Sequence, residues 1–312
     1  MYVHQFHFGE INKTFCNKCG GQVMPIDTSG LKWQVFIYLL CSWDGKSGLL
    51  DDKSQQHMQH GGDTLLSAPI CLSACRFHPM NPNLLFVGNG GAISVMNLST
   101  GSQAFSHTIA HGGSHPEVTA LACSNTSMFA GDENGDLHVF RCEVHVAGSS
   151  QHLPAIFAWP HPGGKGSAIV SIQWQGYITA VKGPALLVMY LDSTVAVYKV
   201  YDGVSCRLEL FTKAELPPAA RRICAVWCPS ISIHEPQCIA AGGEDTNVHV
   251  YDIHRVRSTA VVVNQLQAHA APVVDVSWSY DESCLASGDC DGTVIVWKRD
   301  HSAMSSRRTS AD

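Results

Sequence analysis

Three residue types near the carboxyl end could in principle do chemistry together: His269, Ser287 and Asp291. A hydroxyl, an imidazole and a carboxylate are the components of nucleophilic acyl transfer. That reaction needs its serine on an exposed, sharp turn, and no G-x-S-x-G elbow surrounds Ser287, which sits inside a strand-like run. The alternative is structural. A buried aspartate needs donors, and His269 Nδ1–H and the amides of the Asp291-Gly292 turn would supply them. Ser287 would then link His269 to the indole N–H of Trp297. The expected arrangement is therefore a structural tetrad of His269, Ser287, Asp291 and Trp297, with no catalytic residue.

Other chemical signals are weaker. Cys16-x-x-Cys19 is half of a zinc knuckle, and its only nearby ligands, Cys41, His57 and His60, are irregularly spaced. Cys71/Cys75 and Cys224/Cys228 repeat at an interval of four within apolar runs, which places each pair on one strand face as core spacers. No metal and no cofactor are expected. The stretches Gly163 to Ser167 and Gly45 to Ser47 lack the spacing of a phosphate loop and have no helix after them. Arg307-Arg308-Thr309-Ser310 has the basic-then-hydroxyl order that suits a basophilic kinase.

The elements that must hold these residues are short strands. From residue 260 the chain reads AVVVNQLQ, then AHAAP, VVDVSWS, YDES, CLASGD, and TVIVW after the Asp291-Gly292 turn. That is an antiparallel meander with tight turns. Both faces of TVIVW are apolar, so it belongs between stacked sheets. The same grammar recurs upstream. Strand-ending markers fall at Trp43, Met96, Phe140, Tyr198, Tyr251 and Trp297, spaced by 53, 44, 58, 53 and 46 residues. Asn134, Asp192, Asp245 and Asp291 each stand six residues before the aromatic. The first three read as the turn-capping carboxylates or amide of their own repeats, Asp192 and Asp245 without a matching histidine before the first strand.

Repeats of this length, each a four-stranded unit, predict an all-β propeller of antiparallel blades, six recognisable or partly recognisable, with a seventh missing or degenerate. Only a polar tail follows Trp297, and AVVVNQLQ belongs to the preceding sheet. The last sheet must therefore borrow an outer strand, and the alternating YVHQFHF at Tyr2 to Phe8 is the candidate. The expected division is a divergent first blade and loop over 1–68, a propeller over 69–299, and a disordered tail over 300–312.

Bulk composition agrees. The chain has 312 residues, 45% of them hydrophobic and only 15% charged, with 27 glycines. Few charges and many glycines suit strands and turns better than helices. No apolar run approaches membrane-spanning length, the strongest being Val35 to Cys41. The amino terminus lacks the pattern of a secretory signal, and thirteen scattered cysteines imply a reducing compartment. A net charge of −6 disfavours direct nucleic-acid binding.

The run LASGDCDGTVIVW, with His269 ahead of it, resembles WD-repeat proteins. The likeness extends through ICLSACRFHPMNPNLLFVGNGGAISVMNLSTG, LLVMYLDSTVAVYKV and GGEDTNVHVYDIHR. Together these resemble a nuclear WD-repeat group regarded as interaction scaffolds without an enzymatic activity. The resemblance implies a non-enzymatic scaffold in the nucleus, with the cytoplasm as second compartment. It would bind other proteins through the propeller rim and two long loops, His145 to Gly166 and Tyr201 to Arg221. A chromatin- or nucleic-acid-associated adaptor is the second reading, and an enzyme with a central-channel site the third.

Overall fold

The computed structural model describes residues 2–7, 37–41, 47–51, 72–109, 115–142, 155–164, 166–201, 206–228, 238–252, 261–279 and 284–298. Among them there is no helix, and every regular element is a strand. The chain divides into two compact units. One comprises Met1–Lys13, Gln175–Val200 and Leu208–Asp312, the other Thr14–Trp174 and Tyr201–Arg207.

The strand β1 (Tyr2–His7) belongs to the first of these units, and in the second the first pair is β2 (Ile37–Cys41) with β3 (Ser47–Asp51). There follow β4 (Leu72–Phe77), β5 (Leu84–Asn89), β6 (Ala92–Asn97) and β7 (Ser102–Thr108), paired in chain order. The next sheet runs β8 (Val118–Cys123), β9 (Ser127–Asp132), β10 (Leu137–Arg141) and β11 (Ala155–Trp159). Their core contains Phe86, Ile93, Val95, Leu121, Met128 and Phe140, all buried. Since β5, β6, β8 and β9 are apolar on both faces, neither sheet could remain in water alone.

A further sheet is β12 (Ile169–Ile178), β13 (Gly183–Tyr190), β14 (Thr194–Tyr201) and β15 (Arg207–Glu215). The last two in the first unit are β16 (Ala225–Trp227), β17 (Cys238–Gly242), β18 (Asn247–Asp252) and β19 (Val261–Gln267), then β20 (Val273–Trp278), β21 (Cys284–Asp289) and β22 (Thr293–Lys298). Val226, Ala240, Val248, Val273, Leu285, Ile295 and Trp297 form the core between these two sheets.

The final sheet is completed by β1 (Tyr2–His7), antiparallel to β22 with Tyr2 opposite Lys298 and His7 opposite Thr293. This is the borrowed outer strand that the strand arithmetic asks for. The described residues thus hold five four-stranded antiparallel sheets and one two-stranded pair. The fold is all-β and its sheets are propeller-type blades.

Three outer strands leave their neighbour in the same way. A one-residue bulge falls where β7 meets Met96, where β11 meets Phe140 and where β19 meets Tyr251. In each, the bulge lies beside the large side chain near the end of the third strand, and bulges increase local twist.

Two expectations change here. The supposed loop Tyr201 to Arg221 contains β15, nine residues long, and the loop His145 to Gly166 contains β11. The outer strand β15 is largely exposed and carries charges, RLELFTKAE, so its alternation is masked in the sequence; Leu208 and Thr212 alone turn inward firmly. Within 1–68, expected as a divergent first blade and loop, the stretch after Trp43 includes β3. Residues 52–71 and the tail 299–312 lie outside the described residues.

Candidate functional site

Ser287 and Asp289 are two residues apart on β21, so strand alternation points both side chains to one face. His269, in the segment between β19 and β20, lies over that face. Its Nδ1 is 2.8 Å from Asp289 Oδ2, and its Nε2 is 2.7 Å from Ser287 Oγ. The indole of Trp297 donates to the same Ser287 oxygen at 2.7 Å. Asp289 Oδ1 accepts the backbone amides of Asp291 at 3.1 Å and Thr293 at 2.8 Å.

The network therefore contains His269, Ser287 and Trp297 as expected, but its carboxylate is Asp289. Asp291 is exposed and contributes only its backbone amide to Asp289. The physical reason is the strand period. Asp289 is the last residue of β21, in phase with Ser287, whereas Asp291 has passed into the turn and faces water. Counting eight residues back from Trp297, together with the Ser287 phase, is the signal that would have found it.

Direction follows from donor inventory. An indole only donates and an ionised carboxylate only accepts. The Ser287 proton therefore goes to His269 Nε2, and His269 Nδ1–H goes to Asp289. Burial pushes the Asp289 carboxyl up, but the bonds from His269, Thr293 and Asp291 outweigh it and hold it below the ordinary aspartate value. With the serine proton committed and His269, Ser287 and Asp289 all buried, the arrangement fastens β20, β21 and β22 and offers no accessible nucleophile.

Because the folded-state value is lowered, the carboxylate stabilises the fold fully above about pH 3.9, its unfolded value. That stabilisation is lost as pH falls through the folded value. The stability gap between the parent and Asp289→Asn is expected to shrink as pH falls below 4. Urea titrations across that range measure it; a gap that widens in acid would contradict the assignment.

The remaining turns solve the same problem differently. Between β9 and β10 the position equivalent to Asp289 is Asp132, eight residues before Phe140. Asp132 Oδ1 accepts the amides of Asn134 at 2.9 Å and Asp136 at 2.8 Å, and Oδ2 lies 2.8 Å from His138 Nε2. The turn carboxylate here is thus Asp132; Asn134 donates its amide to it. Between β13 and β14 the equivalent position is Tyr190, whose hydroxyl meets that of Tyr198 at 3.2 Å inside the sheet. Burial raises the Tyr198 hydroxyl above its ordinary value, and the Tyr190 bond offsets only part of this. Asp192 caps this turn by accepting the Thr194 amide at 3.0 Å.

Between β17 and β18 the equivalent position is Gly243, and the carboxylate comes from Asp245 two residues later. Asp245 reaches back to His249 Nε2 at 2.9 Å and also holds the Asn247 side-chain amide at 3.0 Å. A Cβ on Gly243 would lie 2.4 Å from Asp245 Oδ1 and 3.0 Å from the His249 ring. The missing side chain leaves the room that Asp245 uses. Burial pushes this carboxyl up, yet the His249 and Asn247 bonds bring it below its ordinary value. Burial and the Asp245 charge together push the Tyr251 hydroxyl up to about 12.

Two expected outcomes follow for this turn. Gly243→Asp destabilises by about 2 kcal/mol by crowding and by like charge, and adding Asp245→Asn recovers most of the loss. The double variant recreates the Asp132–His138 geometry, and a double-mutant cycle in urea measures the coupling. Thr246 has φ of 66° where the corresponding positions of two other turns are Gly135 and Gly292, at 88° and 86°. A β-branched residue is strained there. Thr246→Gly is expected to raise stability by about 0.5–1 kcal/mol after the entropy cost of glycine, read as a shift of the denaturation midpoint.

The half-knuckle cysteines Cys16 and Cys19, with His57 and His60, lie outside the described residues. Among the described residues, no group of three or more His, Cys, Asp or Glu side chains is placed to hold a metal.

The His–Ser–Asp–Trp network closes a unit of strand, loop and three-stranded meander, and residues 260–298 match the family described as WD domain, G-beta repeat. The likeness to a WD repeat is thus confined to this stretch. Three curated proteins are also similar over part of the chain. Protein HIRA of Oryza sativa subsp. japonica is 31% identical over 87 residues, covering 24% of this chain and 8% of that protein. The serine-threonine kinase receptor-associated protein of Gallus gallus is 36% identical over 70 residues, covering 22% and 19%. The B-type cell cycle switch protein ccs52A of Medicago truncatula is 36% identical over 61 residues, covering 20% and 12%. The matched stretches thus span less than a fifth of these relatives' lengths. Among solved structures, the crystal structure of the computationally designed Ika8 protein covers 86% of this chain and 69% of its own, with a TM-score of 0.53 at 20% identity. That likeness is one of fold. The stretch that matches this family, 260–298, is the one with the full network, and the turns before Phe140, Tyr198 and Tyr251 carry the substitutes described above.

Proposed function

We propose that this chain is a non-enzymatic protein-interaction scaffold that works in the nucleus. It resembles the carboxyl-terminal part of WD repeat-containing protein 13 over residues 69–299; within 1–68, assigned to a divergent first blade and loop, Tyr2–His7 belongs instead to the last sheet, and 300–312 is a polar tail. The observation that carries the reading is the set of large apolar side chains held in solvent by rigid strands and turns. Met80 is 72% exposed and Tyr177 64%. Phe77, Leu191, Tyr201 and Phe211 are also exposed. Exposed apolar groups on a fixed frame suit protein docking.

The Phe77–Met80 turn illustrates the rigidity. His78 Nδ1 accepts the amides of Met80 and Asn81, both at 3.1 Å, while its Nε2 lies 2.7 Å from the Cys142 carbonyl. The relatives named above include a receptor-associated protein and a cell cycle switch protein, which supports a regulatory, non-catalytic role. A net charge of −6 favours protein partners over nucleic acid. The propeller rim and the segments flanking β11 and β15 would present the contacts.

Affinity purification of the full chain from nuclear and cytoplasmic fractions, followed by mass spectrometry, tests this reading. A reproducible partner set from the nuclear fraction, reduced by Met80→Asp, is expected. A measurable catalytic turnover with no reproducible partner would overturn it.

A further inference from the structure

We propose that the outer edge of β19 captures an extended, uncharged peptide segment of a partner protein by strand addition. The proposal deepens the scaffold reading by naming a partner chemistry. β19 ends the sheet order β16-β17-β18-β19 and has no strand on its far side among the described residues. Exposed strand edges attract further strands, and proteins usually block them with charge or proline. The outer strand β15 carries Arg207, Glu209, Lys213 and Glu215. β19, VVVNQLQ, has no charge, proline or glycine.

Its side chains point the same way. Val261, Val262 and Val263 are 39%, 46% and 50% exposed, three consecutive β-branched apolar residues in water. Simple alternation would bury one of them. The bulge opposite Tyr251 makes Val263 the extra residue and breaks the alternation. Beyond it, the backbone amide of Gln265 takes Asn264 Oδ1 as acceptor at 2.9 Å, a local substitute for a neighbouring strand.

Size decides between occupants. At about 3.4 Å per residue, the seven residues of β19 make an edge about 24 Å long. Two folded copies meeting along it would bury on the order of 500 Å², well below the roughly 1,200 Å² that a stable specific interface needs. A flexible peptide needs no such area, because backbone bonds along the edge supply affinity and alternate side chains supply selection. The segment opposite the valines must be uncharged, since an unpaired charge covered by three valines would lose its hydration.

The probe is an end-blocked heptapeptide of alternating valine and threonine, added to the full chain. Saturable binding with protection of the β19 amides from hydrogen exchange is expected. Val262→Lys, and separately Val263→Lys, should weaken binding at least tenfold without moving the thermal midpoint, because both positions are exposed. No saturable binding at 1 mM peptide, or equal binding by both lysine variants, would overturn the proposal. Concentration-dependent dimerisation abolished by Val262→Lys would also overturn it, by making a second copy the occupant. Partner capture that depends on Met80 is measured separately, so failure at β19 leaves the scaffold reading intact.

Discussion

Asp289→Ala is expected to cost about 3–5 kcal/mol, whereas Asp291→Ala should stay within about 0.5 kcal/mol. Asp289 is 4% exposed and binds three donors: His269 Nδ1 and the amides of Asp291 and Thr293. Removing it strands a buried imidazole N–H and frees both turn amides, and the loss propagates through Ser287 to the Trp297 indole. Each buried donor left without an acceptor costs about 1–3 kcal/mol. Asp291 sits in solvent and binds nothing buried, so its side chain can be removed with little consequence. Urea denaturation followed by far-UV circular dichroism reads both variants. A larger loss for Asp291→Ala than for Asp289→Ala would reverse the assignment of the carboxylate.

Gly242→Ala is expected to destabilise by about 3 kcal/mol or more, the upper range for overpacking a well-filled site. A Cβ at this position would lie 2.1 Å from the carbonyl oxygen of Val273 and 2.7 Å from its carbonyl carbon. Both are backbone atoms, which cannot swing aside as a side chain can. They also belong to a seam: Val273 donates its amide to the Gly243 carbonyl at 3.0 Å, joining the start of β20 to the turn after β17. Relieving the clash means breaking that bond and separating two sheets that share Val248, Val273 and Ile295 as core. Gly131 has the same place in its own unit, where a Cβ would meet Ile169 Cγ2 at 2.6 Å. There the obstacle is a side chain, so Gly131→Ala should cost less. Thermal midpoints of the two variants give the order directly. Gly242→Ala at parental stability would mean that the seam can open without loss.

Much of the strand grammar is legible from residues alone. The positions Phe140, Tyr198, Tyr251 and Trp297 end or nearly end the third strand of their sheets and are all buried, because a large apolar group there must be covered from both sides. The inner strands were equally readable, being apolar on both faces. The outer strand β15 was not, since a strand covered on one side only mixes charge with apolar residues and resembles a loop.

At the site, the sequence by itself determined that His269, Ser287 and Trp297 share one polar network with an aspartate, because indole, hydroxyl and imidazole have few other partners in an apolar meander. Which aspartate was a matter of tertiary structure. Asp289 and Asp291 are alike as residues, and only the point where β21 stops decides which one faces inward. The same holds for Gly243 and Asp245: nothing in GGEDTNVHVY says that one residue's missing side chain is the space another fills. Strand arithmetic could ask for an outer strand on the last sheet and offer Tyr2 to Phe8. The pairing of Tyr2 with Lys298 was decided only in three dimensions. Alternation along a strand fixes its faces, while its partner is chosen by whichever edge the packed sheets leave open.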